Sequence, residues 1–265
     1  MTNTLITGGT GKTGGRVAQR LGDDARVGSR QGSPAFDWED RSTWEPALEG
    51  MDAAYLSYFP DLAVPGAAET VGAFAELAVA QGAKRLVLLS GRGEEGAEAG
   101  ERAVQAYGAD WTILRASWFD QNFSEGYLLE PVLDGTVALP AGDTPEPFVD
   151  ADDIADVAVA AFSDAKHIGE VYELTGPRLL TFAEATAEIA KAAGRDIRFQ
   201  QITFEEFASP EIPADVLALL NYLFTEVLDG RNARVADGVQ RALGRAPRDF
   251  TDYAREAAAR GAWEA

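Results

Sequence analysis

The sequence predicts an α/β protein with a Rossmann-type doubly wound parallel sheet and a small, mostly helical C-terminal substrate subdomain. Residues 3–7 form a short apolar run that enters a glycine-rich turn and then a helical pattern. Strand-like and helix-like segments alternate as far as residue 116, and right-handed crossovers between such strands produce a parallel sheet. After residue 116 the pattern is irregular, and about sixty mainly helical residues end the chain.

The individual elements are predicted from the periodicity of apolar residues and from the residues that end helices and strands. The run 85–90 is almost continuously apolar, as expected for a central strand buried on both faces, and Gly82 ends the helical pattern before it. Thr181 is the expected N-cap of a helix over 181–193. The predicted strands are 3–7, 25–30, 35–38, 53–59, 85–90, 111–115, 171–174 and 197–202; the main helices are 14–21, 44–48, 65–81, 96–107, 153–162 and 181–193.

These elements predict two domains. Residues 1–160 form an NAD(P)-binding Rossmann domain, to which the strand at 169–174 returns. Residues 161–265 form a smaller substrate-binding subdomain, and 117–150 contribute to the cleft.

Composition narrows the possible chemistry. The 265-residue chain has no cysteine and a single histidine, which excludes disulfides, thiolate nucleophiles and most metal or triad sites. A net charge of −20 argues against nucleic-acid binding, which needs clustered cations. No run approaches the length of a membrane span and the chain opens on a strand, so a cytoplasmic protein is expected. The expected partner is a small-molecule substrate, with a homodimer or a regulatory protein partner left open.

The glycine-rich segment is the first candidate site. Gly9, Gly11 and Gly14 fit the pattern G-x-G-x-x-G, in which glycines bring backbone amides close to a pyrophosphate at a helix N-terminus. The interpretation of this segment as a nucleotide-triphosphate P-loop is excluded, because Ile6 stands where that motif requires glycine. A purely structural glycine turn remains the alternative. The candidate cofactor-binding residues here are Gly8, Thr10, Gly11, Lys12, Thr13 and Gly14.

The end of the second strand bears on cofactor choice. An acidic residue about twenty positions after the glycines binds the ribose of NAD, whereas arginine accommodates the 2′-phosphate of NADP. Here Ser29 and Arg30 occupy that place, and no acid occurs between Asp24 and Asp37. NADP(H) is therefore preferred over NAD(H). Asp37 either contacts the adenine or caps a strand end.

Further candidates follow the next strands. Ligands of doubly wound sheets lie beyond the carboxyl ends of the strands. Tyr58 and Phe59 end the strand at 53–59, Pro60 follows it, and Ser90 ends the strand at 85–90. All are candidates to line the cofactor.

The segment after residue 116 supplies substrate-lining candidates. Trp118 and Phe119 begin an aromatic cluster that forms either a substrate wall or a core beneath a loop. The acidic run 148–156 is better explained by helix capping through Asp150 or Asp152 than by a metal site, and no metal is expected.

Three other polar residues have simpler interpretations. Arg92 and Glu101 follow the Ser90 strand and could reach substrate, although surface ion pairing is the simpler explanation. His167 is expected in a surface loop.

With these residues in view, the chain resembles the NmrA-like branch of the atypical short-chain dehydrogenases. The matching landmarks are residues 7–14, 112–115 with Asn122-Phe123, and 148–155. Residues 36–40 with Thr43-Trp44 and the segments 242–248 and 261–263 resemble bacterial relatives of the agroclavine and festuclavine dehydrogenases. The resemblance implies an NADP-binding Rossmann domain with a small substrate domain. The family that the chain resembles includes reductases of quinones, iminium and azo compounds, and also catalytically silent cofactor sensors.

The usual catalytic pair of short-chain dehydrogenases is absent from the sequence. None of the seven tyrosines is followed by lysine four residues later, and Ser90, at the position resembling the family's catalytic serine, is expected to donate a hydrogen bond to substrate or nicotinamide. Ketone reduction needs a general acid, whereas iminium and quinone substrates do not. The sequence therefore predicts an NADPH-dependent reductase of an electrophilic small molecule. The alternative is a redox sensor that binds NADP(H) and regulates a protein partner.

Overall fold

The structure, a computed structural model, describes residues 2–264. They divide into two compact units. Unit 1 contains the described residues up to 116 together with 151–174 and 237–245, and unit 2 contains 117–150, 175–236 and the described residues from 246 onward.

Eight strands and twelve α-helices make up the regular structure of the described residues. The strands are β1 (Thr4–Thr7), β2 (Ala25–Gly28), β3 (Ala53–Leu56), β4 (Arg85–Gly91), β5 (Asp110–Ala116), β6 (Thr136–Leu139), β7 (Glu170–Leu174) and β8 (Arg198–Gln201). The helices are α1 (Lys12–Leu21), α2 (Trp44–Leu48), α3 (Ala67–Ala80), α4 (Glu95–Gln105), α5 (Asn122–Glu125), α6 (Leu129–Leu133), α7 (Ala151–Ser163), α8 (Phe182–Ala193), α9 (Phe204–Phe207), α10 (Ala214–Tyr222), α11 (Gly238–Leu243) and α12 (Phe250–Ala259). A π-helical segment (Leu223–Val227) follows α10.

Unit 1 is built on a six-stranded sheet in the order β2-β1-β3-β4-β5-β7, with every neighbouring pair parallel. The chain moves outward from β1 to β2 and then in the opposite direction from β3 to β5. Right-handed crossovers therefore place α1 on one face and α3 and α4 on the other. Accordingly, α1 packs against α7, and α3 packs against α4. The predicted Rossmann-type doubly wound sheet is confirmed.

The predicted strand at 35–38 is wrong. The backbone amide of Phe36 bonds to the carbonyl of Ser29, and the segment pairs with no strand among the described residues. Its apolar alternation reflects burial of Phe36 and Trp38 in a cluster with Trp44 and Phe74. Burial of aromatic rings imitates the period-two pattern of a strand without any sheet pairing.

The expectation that His167 lies in a surface loop is also wrong. Its side chain is fully buried in the turn before β7, and its Nδ1 lies 2.8 Å from the Tyr172 hydroxyl. The His167 carbonyl accepts a hydrogen bond from Thr112 on β5. Burial lowers the pKa of the imidazole, because the charged form is disfavoured away from water.

Unit 2 is mostly helical and has a two-stranded parallel sheet formed by β6 and β8. Phe123 lies at its centre and contacts the rings of Phe148, Phe182 and Phe250. Thr181 caps α8 through a reciprocal capping box with Glu184, as the sequence predicts for the helix start. Across residues 2–264, no helix is both long and apolar enough to span a bilayer.

Candidate cofactor site

The candidate site of unit 1 begins at the topological switch point. β1 lies between β2 and β3, so the chain leaves its carboxyl end where the direction of winding reverses. The hydroxyl of Thr7 donates to the carbonyl of Tyr55 and accepts from the amide of Ser57. These bonds join the ends of β1 and β3 and fix the start of the glycine-rich turn.

The glycine-rich turn has no room for a side chain at Gly9 or at Gly14. Gly8 has a φ of +61°, in the left-handed region that favours glycine. A Cβ at Gly14 would overlap the carbonyl oxygen of Gly8 and lie 2.8 Å from its carbon. A Cβ at Gly9 would lie 2.9 Å from the Ile6 carbonyl oxygen. The turn therefore packs directly onto α1, leaving a backbone-lined cradle suited to a dinucleotide pyrophosphate.

α1 begins at the cradle. Gly11 is its N-cap in an extended conformation and supplies no side-chain cap, and helix N-termini bind anions through their first backbone amides. Thr13 is buried, whereas Thr10 is exposed and Lys12 half-buried. These residues fit the pyrophosphate of a nicotinamide dinucleotide in both backbone geometry and charge.

The residues expected to select the cofactor lie after β2. The strand ends at Gly28, and the carbonyl of Ser29 accepts from the amides of Gly32 and Phe36 to form a tight turn. The side chain of Arg30 is exposed on this turn. Asp37 accepts from the Glu39 amide, and its carbonyl accepts from the Trp44 indole, so both groups hold the local turn.

The loop after β3 carries the next two candidates. Tyr58 packs against Trp38 with ring centroids 5.2 Å apart, whereas Phe59 is 78% exposed. The Trp38 indole also donates to the Ser57 carbonyl. The base of the loop is therefore anchored in the aromatic cluster, and the Phe59 ring is directed into solvent.

Ser90 belongs to a buried network at the carboxyl end of β4. Its hydroxyl donates to Glu101 Oε1 at 2.6 Å, and Arg115 holds both Glu101 oxygens at 2.8 and 2.6 Å. The Ser90 proton is therefore directed to Glu101, and the oxygen lone pairs remain as acceptors. The expected donor role of Ser90 toward a ligand would require this bond to break.

A second ion pair lies next to this network. Ser90, Arg115 and Glu173 align across β4, β5 and β7, and Glu173 lies 3.0 Å from Nε of Arg92. Glu101 and Arg92 are 3% and 2% exposed, so the expectation of surface ion pairs is wrong. The sequence contains a signal for this: Glu101 shares the buried face of α4 with Ala97 and Val104.

Of the three substrate-lining candidates, Ser90 belongs to unit 1, and Trp118 and Phe119 belong to unit 2. Trp118 is half-buried and contacts the rings of Phe182 and Phe224, and Phe119 forms an isolated bridge with Val149. Phe123 is fully buried, and Tyr127 is 42% exposed. Within this aromatic cluster, Phe123 therefore belongs to the core, whereas Trp118 and Tyr127 are partly exposed.

The carboxylates of the acidic run that lie on α7, Asp152, Asp153 and Asp156, pair with arginines. Arg20 bonds to Asp152 and Asp156, and Arg245 bonds to Asp153 and Asp156. Among the described residues, no group of three or more histidine, cysteine or acidic side chains is arranged to hold a metal. These pairs join α1, α7 and the segment after α11 within unit 1.

The sheet order and the glycine cradle define a nucleotide-binding α/β protein of the Rossmann class. The model of the NmrA-like family matches residues 100–253, which is more than half of the chain. The chain belongs to this family.

Curated relatives extend the match to almost the whole chain. The uncharacterised oxidoreductase YesF of Bacillus subtilis strain 168 is 35% identical, covering 96% of this chain and 95% of its own length. Agroclavine dehydrogenase of Claviceps fusiformis is 30% identical, covering 94% and 95%. The resemblance to the NmrA-like branch and to the clavine dehydrogenases is confirmed.

A solved structure agrees with the fold. The NADPH-dependent quinone oxidoreductase of Escherichia coli, crystallised with NADPH, superposes with a TM-score of 0.78. The match covers 96% of this chain and 99% of that one, at 22% identity. At this level of identity the likeness establishes the architecture alone.

Proposed function

We propose that this protein is an NADPH-dependent reductase of electrophilic small molecules, of the quinone or iminium type. The broad class is that of the NAD(P)H-dependent oxidoreductases, which is supported by relatives of 30% identity or more that are named an oxidoreductase, a dehydrogenase and an NAD(P)H azoreductase. The single observation that carries cofactor binding is the glycine cradle, where a Cβ at Gly14 would overlap the Gly8 carbonyl.

The residues assigned to the cofactor fall into groups according to the part of the cofactor that they would bind. Backbone amides of the turn and of the start of α1 bind the pyrophosphate, assisted by Thr10, Lys12 and Thr13. Arg30 binds the 2′-phosphate, because its guanidinium is exposed on the turn after β2. When bound, the reduced nicotinamide supplies a hydride.

The substrate class follows from which proton donors the chain provides. The Tyr-x-x-x-Lys pair is absent, and the Ser90 proton is held by Glu101. A substrate that develops alkoxide charge would find neither donor poised to stabilise it. An iminium ion needs no protein acid, and a reduced quinone is a comparatively stable hydroquinone. We assign Trp118 and Phe119 to the substrate, since their rings are partly exposed.

The first prediction concerns turnover. Purified protein should oxidise NADPH, followed at 340 nm, in the presence of quinones or cyclic iminium compounds, and at least about tenfold more slowly with unactivated ketones, because a ketone needs the missing acid. Ketone reduction as fast as quinone reduction would contradict the substrate assignment. NADPH binding with no turnover of any compound would favour the alternative, a cofactor sensor that regulates a protein partner.

A further inference from the structure

The carboxyl end of β4 has a strand partner on one side only. β5 pairs with β4 as far as Gly91, whereas β3 pairs with it only as far as Leu88. In the described part of the chain, residues 89–91 therefore have no strand partner on the β3 side, which is also the side of β1 and the glycine cradle. Because β3 ends earlier, a ligand that extends from the cradle across the end of β3 reaches β4 at this stretch. Ser90 lies at its centre.

The hydroxyl of Ser90 has a fixed direction. It donates to Glu101 Oε1 at 2.6 Å, a length typical of a hydrogen bond to a carboxylate. Arg115 donates to both Glu101 oxygens, from Nε at 2.8 Å and from Nη2 at 2.6 Å. A carboxylate that is paired with a guanidinium only accepts hydrogen bonds. The proton of this contact therefore belongs to Ser90.

This direction determines what Ser90 offers to a ligand. A hydroxyl has one proton and two lone pairs, and the proton is already used by Glu101. Ser90 and Glu101 are 4% and 3% exposed, so redirecting the proton would remove a donor from a buried carboxylate, which is costly. The matching ligand group is an N–H or O–H donor, not a carbonyl oxygen.

The strand order indicates which part of the cofactor lies near Ser90. β2 and β4 are on opposite sides of β1. In the proposed site the pyrophosphate lies at the cradle and the adenosine lies toward β2, where Arg30 is exposed. The nicotinamide nucleoside then extends over β3 toward β4, the second strand from β1 and about 10 Å from it. The carboxamide nitrogen supplies the only N–H donors of this nucleoside.

We propose that Ser90 accepts a hydrogen bond from the carboxamide nitrogen of NADP(H). This inference rests on the proposed function, and it reverses the donor role expected for Ser90 from the sequence. Glu101 and Arg115 hold the Ser90 hydroxyl in the accepting direction. The contact fixes the rotation of the carboxamide and with it the orientation of the nicotinamide ring. It serves a reductase and a cofactor sensor equally, because both hold the cofactor.

The second prediction compares S90A with wild type. The probes are NADP⁺ and its 3-acetylpyridine analogue, in which a methyl group replaces the amide nitrogen while the carbonyl group remains. Wild type should bind NADP⁺ about tenfold more tightly than the analogue, as expected for one buried hydrogen bond. In S90A this ratio should fall to about twofold or less. Calorimetry measures the affinities, and their ratio cancels any general effect of the substitution on the site.

S163A is the matched control, because it removes an exposed hydroxyl of unit 1. Ser163 ends α7 near the opposite end of β4, where Arg85 bonds to the carbonyls of Ala161 and Asp164. S163A should keep the wild-type ratio.

The nicotinic acid analogue of NADP⁺, which has a carboxylate in place of the amide, distinguishes an acceptor from a donor. S90A should bind this analogue at least as tightly as wild type, because a lone pair that faces the carboxylate is removed. If Ser90 donated a hydrogen bond, S90A would bind it more weakly.

The outcomes separate this inference from the proposed function. Thermal unfolding first confirms that the variants are folded. A ratio that falls in S90A and persists in S163A supports the acceptor role. An unchanged ratio in S90A, or weaker binding of the nicotinic acid analogue by S90A, overturns it and leaves the proposed function intact. Equal affinities of wild type for NADP⁺ and the 3-acetylpyridine analogue overturn it without any variant. If wild type binds no NADP⁺, the proposed function itself fails.

Discussion

At the scale of single residues, the direction in which the Ser90 hydroxyl donates its proton decides whether Ser90 can serve as a donor to substrate. Ser90 lies where the sequence places it, at the carboxyl end of β4, but its hydroxyl donates to Glu101. Sequence patterns locate a hydroxyl at a strand end and do not reveal its hydrogen-bond partner. Arg30 is the opposite case, since both its position and its exposure follow from the end of β2.

The third prediction tests Arg30. R30A should weaken NADPH binding by about tenfold or more, the equivalent of one charge-assisted contact of roughly 1.5–3 kcal/mol, and leave NADH binding almost unchanged. R198A, which removes an exposed arginine of β8 in unit 2, is the control and should alter neither affinity. Equal losses for NADPH and NADH in R30A would remove the assignment of the 2′-phosphate site. Both affinities are measured by calorimetry.

At the scale of elements, buried charge joins α4 to the sheet. Arg115 on β5 holds Glu101 with two hydrogen bonds, and Ser90 on β4 adds a third. Glu98, on the same helix, approaches Arg115 only to 3.6 Å and is 43% exposed. The two glutamates therefore differ in burial and geometry while sharing one arginine.

The fourth prediction uses this difference. E101Q should lower the free energy of unfolding by about 2 kcal/mol, because a buried charged acceptor with three donors is lost. E98Q should change it by less than about 1 kcal/mol, as expected for an exposed pair. Chemical denaturation measures both variants. Equal effects would show that Glu101 contributes no more than a surface charge.

At the scale of the whole molecule, the sequence predicts the sheet of unit 1 well. Alternating strands and helices, Gly82 and the apolar run at 85–90 mark elements that the structure confirms. The errors arise where burial depends on other elements, although the helical pattern of α4 already places Glu101 on its buried face. Phe36 and Trp38 imitate a strand, His167 is enclosed by chain distant in sequence, and Glu101 and Arg92 are buried charges paired across elements. Contacts with other elements contribute to each of these environments.

The central claim is that the glycine cradle binds a nicotinamide dinucleotide, and the comparison of G14A with G15A tests it most directly. A Cβ at Gly14 would overlap the Gly8 carbonyl, whereas one at Gly15 would lie 3.6 Å from the Gly9 oxygen, an ordinary contact. Thermal unfolding first confirms that both variants are folded at the temperature used. G14A should then lose NADPH affinity by about 100-fold or more, roughly 2.7 kcal/mol, and G15A should stay within about threefold of wild type. Equal affinities of wild type, G14A and G15A would contradict the account.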